Sequence, residues 1–177
     1  MGVRYIGIFF LASCALGASV SDVFETSFLT SYSQGFCKQN SVRFLQRLER
    51  EGVSTSGFSL VKIENKGIGT FGLVNAEKAR SWVKGIPVSE EKNWHEHWIV
   101  VDQEGTVYDS DFTHEPSPIP FENYLDEMFL NEPECGDQAS LELCGGKEDK
   151  LNDYQLTFFQ GDLVSWKGSL AEALQKF

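Results

Sequence analysis

Apolar positions along this chain follow two rhythms. From Cys37 to about Glu51, Val42, Leu45 and Leu48 recur at helical spacing with Phe44 beside them, and Gly52 ends the run. Elsewhere the pattern is that of strands. Phe58 to Glu64 reads as one strand, and Trp98 to Val101 begins a hairpin that turns at Gln103-Glu104-Gly105 and returns through Thr106-Val107-Tyr108. Tyr154 to Gln160 and Leu163 to Trp166 form a second strand pair around Gly161-Asp162. Further helices are expected from Asn75 to Trp82 or Val83, from Phe121 to Leu130, and after the capping box of Ser169 and Glu172.

Punctuation between these elements is clear. Lys66 to Gly72 is a glycine-rich turn, Gly85-Ile86-Pro87 a linker, and Pro116, Pro118 and Pro120 impose an extended segment. The stretch from Asp22 to Ser33 is either a short helix or an extended lead-in. It has no assigned role, and a pro-segment masking a cleft would suit it. A helix followed by mainly antiparallel strands predicts one α+β domain, with no internal repeat.

The hairpin carries the chemistry. With a three-residue loop, Asp102 faces Thr106, Val101 faces Val107, Ile99 faces Asp109 and His97 faces Asp111. Alternation then puts His97, Asp109 and Asp111 on one face, with Trp98, Val100 and Tyr108 on the other. An imidazole within reach of a carboxylate is the base and orienter of a nucleophilic triad. Cys37 is the candidate nucleophile. It follows a glycine and a phenylalanine at a helix start, where amides point outward and favour a thiolate. Those amides, with Gln34, could hold the oxyanion of a tetrahedral intermediate.

Other readings compete. Cys37 could fill a gap under its helix, and the histidines could be surface residues between Trp94 and Trp98. His95 and His97 share a strand face, so they could bind a metal with His114 or Asp109, although the familiar helix-borne spacing is missing. The chemical reading takes His97 as base with His95 as alternate. By pairing alone, Asp111 is the nearest acid. It requires no metal and no cofactor.

Composition adds a compartment. Arg4 precedes an apolar run from Tyr5 to Leu16, followed by small residues and Asp22, which is the layout of a secretory signal peptide over residues 1–21. Cleavage after Gly17, Ser19 or Ser21 is acceptable, and 22–177 is then the single mature domain. Export predicts a secreted or periplasmic protein. Leu11-Ala12-Ser13-Cys14 also resembles a lipobox, and only lipidation of Cys14 would bring a membrane anchor. The formal charge of −11, made one unit more negative by loss of Arg4, argues against nucleic acid and anionic lipid as partners. In an oxidising compartment Cys135 and Cys144 are the simple disulfide pair, which leaves Cys37 unpaired. Pairings that consume Cys37 stay open, and would remove the nucleophile.

A cysteine at a helix start, then a strand opening on His, then a strand ending in Asp, resembles the papain-like and transglutaminase-like cysteine enzymes. Within that group, His97-Trp98-Ile99-Val100-Val101-Asp102, Gly105-Thr106-Val107-Tyr108-Asp109, the Pro118 and Pro120 pair and the aromatic helix from Phe121 to Met128 look like the protein-glutaminase and papain-fold deamidase-toxin branch. The resemblance spans roughly residues 34 to 130. It implies a papain-like α+β fold with Cys37 as nucleophile, His97 as base and Asp109, rather than Asp111, as orienter. Asp109-Ser110 departs from the Asp-Pro often found there, and a second histidine is not part of the pattern. The implied activity is deamidation of glutamine side chains in a protein substrate by a monomer. A papain-like peptidase, a transglutaminase, a non-catalytic secreted binding or effector protein and a metal-binding protein using His95 and His97 are the alternatives.

Overall fold

The computed structural model describes residues 18–33, 35–65, 72–73, 93–94, 96–112, 115–130 and 154–176. The chain begins with α1 (Val20–Ser31) and α2 (Cys37–Arg50), then β1 (Phe58–Asn65). A short pair follows, β2 (Gly72–Leu73) and β3 (Asn93–Trp94). Next come β4 (Glu96–Asp102), β5 (Thr106–Tyr108), β6 (Ile119–Pro120) and α3 (Phe121–Leu125), which continues as a π-helical turn (Asp126–Leu130). The described chain closes with β7 (Tyr154–Gln160), β8 (Leu163–Ser169) and α4 (Leu170–Ala173). Among the described residues, six strands form one antiparallel sheet in the order β6-β5-β4-β1-β7-β8. The α+β expectation holds.

Each face of the sheet buries its own core because side chains alternate along a strand. Val61, Ile63, Ile99, Val101, Val107, Leu156 and Phe158 pack against α3 and α4 through Phe121, Tyr124, Leu125, Leu170 and Ala173. Val100 and Tyr108 face the other way, against Val23 and Phe24 of α1 and Phe44 and Leu48 of α2. In α2 the fully buried ridge is Ser41, Phe44 and Leu48, whereas Val42 and Leu45 lie half-buried on its flank. Cys37 stands one helical repeat above Ser41, so it heads the ridge that faces the sheet.

The lead-in is a helix with a structural role. Ser19 accepts from the Asp22 amide while the Asp22 carboxylate accepts from the Ser19 amide, a capping box that starts α1. Phe24 is buried, with its ring centroid 5.2 Å from Phe44 and 5.5 Å from Tyr108. We expect Phe24→Ala to cost about 3–5 kcal/mol, the usual loss for a buried aromatic, measured by urea unfolding. A detachable pro-segment would show almost no change.

The hairpin has the expected register, with Val100 opposite Tyr108 and Val101 opposite Val107. Asp102 organises its turn: one oxygen accepts from the Glu104 and Thr106 amides and the other from the Tyr108 hydroxyl. Burial and the Asp102 charge both push the Tyr108 phenol up, so it stays a donor. Gly105 takes φ +78° to close the turn, a left-handed conformation that a side chain would strain. Its carbonyl accepts from the Phe121 amide at 2.8 Å, which ties the start of α3 to the hairpin. The proline-rich segment returns as β6 on the sheet edge, where a missing amide costs little.

Candidate active site

Cys37 is placed by the loop before it and the helix after it. Asn40 is buried and grips Ser33 twice, accepting from its amide at 3.0 Å and donating to its carbonyl at 2.7 Å. Arg43 adds bonds to the Ser31 carbonyl and the Ser33 hydroxyl. One turn below Cys37, the Ser41 hydroxyl donates to the Trp98 carbonyl at 3.1 Å. That bond pins the helix start beside the residue that follows His97. The helix opens at Phe36, whose side chain supplies no cap, so the first-turn amides keep their donor capacity.

His97 is the second residue of β4, near the end of the sheet and 2% exposed. Its Nε2 lies 2.9 Å from Oδ2 of Asp109, also 2% exposed. The Cys37 thiol, half-buried and unbridged, lies close enough to the same ring to influence its protonation. Nε2 is the ring nitrogen that Asp109 engages. Burial alone would push the imidazole down, but the Asp109 charge and hydrogen bond, together with Cys37, outweigh it and hold His97 well above 6.5.

Asp109, not Asp111, meets the histidine. β5 ends at Tyr108, and Asp109 then forms an Asx turn, with Oδ1 accepting from the Asp111 amide at 2.8 Å. The turn carries Asp111 off the strand path. Its Oδ1 takes the hydroxyl of Tyr32, the residue that ends α1. Simple cross-strand pairing would have matched His97 with Asp111, but the strand stops before that pair can form.

Two tyrosines complete the cluster, and sequence reasoning gave neither a role. Tyr124 of α3 is fully buried and donates to Asp109 Oδ2 at 2.8 Å, the oxygen that also faces His97. Burial first, then the nearby Asp109, Asp111 and Cys37, push its phenol well up. A signal existed for Tyr124: a tyrosine on the apolar face of a helix needs a partner for its hydroxyl.

One nitrogen or oxygen each from His97, Asp109 and Asp111 gather within 4.8 Å, a spacing that could suit a metal ion. Their bonding fits an ion poorly. Asp109 Oδ2 already faces two donors, Asp109 Oδ1 takes an amide and Asp111 Oδ1 takes a phenol. An ion would have to displace several of these bonds. Gln34, His95, His114, Cys14, Cys135 and Cys144 lie outside the described residues, as does the expected helix from Asn75. Trp98 is buried, stacked on Phe159 at 5.6 Å, with the Lys38 ammonium 4.4 Å from its ring centre. A groove of about 460 Å³ runs along the flank of α2 between Lys38, Val42 and Leu45 on one side and Leu60, Trp98 and Phe159 on the other.

The arrangement defines an α+β domain with a buried, hydrogen-bonded imidazole and carboxylate and a thiol beside the imidazole. No protein-family model matches the chain, and no curated protein matches it.

Proposed function

We propose that this protein is an exported cysteine hydrolase of papain-like or transglutaminase-like architecture that acts on amides, with protein glutamine side chains as its substrate. The observation that carries this reading is the series Cys37, His97, Asp109, in which a buried carboxylate holds an imidazole beside a thiol. Isolated surface histidines would not be buried in such a chain of bonds. A purely structural cysteine would not need a charged pair at its side.

In this mechanism His97, held by Asp109, takes the Cys37 proton. Sulfur adds to the carboxamide carbon, and the amides at the start of α2 receive the oxyanion. The tetrahedral intermediate collapses with cleavage of the C–N bond, and ammonia leaves with the proton from His97. The resulting thioester on Cys37 is attacked by water, which His97 deprotonates. The thioester bond then breaks, giving glutamate and returning the proton to the sulfur–imidazole pair. If a leader is removed, cleavage after Gly17 is the one expected position that keeps the Ser19 cap of α1.

The test is ammonia release from casein, beside a Cys37→Ala control. Ammonia with no new N-termini, lost in the variant, is the expected result. New N-termini without ammonia would make the protein a peptidase, and incorporation of an added amine would make it a transglutaminase. If the variant behaves as wild type in all three assays, the thiol reading falls.

A further inference from the structure

We propose that Tyr124 is a positioning residue, whose hydroxyl on Asp109 Oδ2 fixes the ring nitrogen that His97 presents to Cys37. The inference rests on the reading of Cys37 and His97 as a reactive pair, and it extends that reading to a residue on a separate element. For packing alone the hydroxyl is unnecessary, since a phenylalanine fills the same space among Phe112, Leu125 and Met128. A buried hydroxyl is costly unless paired, and this one is spent on the carboxylate that orients the base.

The logic is one of donors and acceptors. The phenol stays protonated, so it donates to Oδ2 at all working pH values. Oδ2 is therefore an acceptor, and the second atom against it, His97 Nε2 at 2.9 Å, must carry a hydrogen. Nδ1 is then the position that exchanges a proton with sulfur. The other oxygen of Asp109 is tied to the Asp111 amide, so the carboxylate cannot turn to offer a different edge. Asp111 is the nearby competitor for the ring, and the Tyr32 phenol occupies it. Among the described residues, the groups facing this cluster are Cys37 from α2, Asp109 and Asp111 from the turn after β5, Tyr124 from α3 and Tyr32 after α1.

Removing the Tyr124 hydroxyl leaves the Asp109 charge concentrated on the imidazole. In Tyr124→Phe the titration midpoint of His97 should rise by roughly one unit, the shift that about 1.4 kcal/mol produces. Turnover should fall roughly tenfold, since a hydrogen bond to a charged group is worth about that much. The midpoint is read by NMR on protein labelled with ¹⁵N-histidine, where the chain's three histidines keep assignment simple. Tyr32→Phe is the control and should leave the midpoint in place, because its hydroxyl serves Asp111. A loss of thermal stability in both variants with no change in the midpoint would make Tyr124 merely structural and overturn the proposal. Should Tyr124→Phe not fold, the wild-type spectrum above the midpoint decides: neutral His97 must carry its proton on Nε2, and a proton on Nδ1 overturns the assignment. Alkylation of Cys37 in wild type separates the two levels. An unreactive Cys37 sinks the functional reading, while a reactive Cys37 with an unmoved midpoint sinks only the role of Tyr124.

Discussion

His97→Gln should abolish rapid alkylation of Cys37 near pH 6 and reduce turnover by roughly 10⁵- to 10⁶-fold, the scale on which loss of a triad's base acts. Glutamine is the informative replacement because its amide can still donate to Asp109, whereas alanine would strand a buried carboxylate and cost about 3–5 kcal/mol. Loss of reactivity in a folded His97→Gln protein is therefore a chemical effect. Full labelling of Cys37 in that variant would show that the imidazole does nothing for the thiol. The same residue sets a pH dependence of stability. The folded protein holds His97 well above 6.5, so its contribution is fully present below 6.5 and is lost as pH rises through the raised value. The gap in unfolding free energy between wild type and His97→Gln should be widest on the acid side and narrow above it. Urea unfolding from pH 5.5 to 9 measures it.

Asp109→Asn and Asp111→Asn should differ sharply, although the two residues are two apart and both are buried. Asparagine at 109 removes the charge that holds the imidazolium and can present an amide N–H to Nε2, forcing the ring's proton toward the wrong nitrogen. A loss of roughly 10²- to 10⁴-fold in kcat/KM is expected, by analogy with the orienting acid of other triads. Asparagine at 111 keeps a carbonyl oxygen for Tyr32 and should leave kcat/KM within a few-fold of wild type. Equal losses in the two variants, or a larger loss at 111, would contradict the assignment of Asp109 as orienter. Thermal unfolding of each variant separates a folding defect from a catalytic one.

Much of this arrangement could be read from residue order. The α2 boundaries, the hairpin register, the strand pair β7 and β8 and the Ser169 cap follow from local rules: period, turn residues and side-chain capping act within a few positions. The candidates Cys37, His97 and Asp109 were also legible, because their types and the strand alternation limit what each can do, and the His97–Asp109 pairing is formed. The resemblance favoured Asp109, whereas strand pairing alone pointed to Asp111. The structure shows why the first is bonded to the ring: an Asx turn ends the strand one residue too early for the second.

What residue order determined about this protein is the set of elements and the kinds of group they carry. Tertiary structure decided how those groups are matched. Whether the segment before Cys37 was a removable lead-in or core depended on Phe24 meeting Phe44 and Tyr108, residues 20 and 84 positions away. Which tyrosine meets which aspartate depended on α1 and α3 arriving from opposite faces of one sheet. Local pattern is blind to such pairings, because a buried hydroxyl and a buried carboxylate are satisfied by whatever folding brings within about 3 Å, however far apart they lie along the chain.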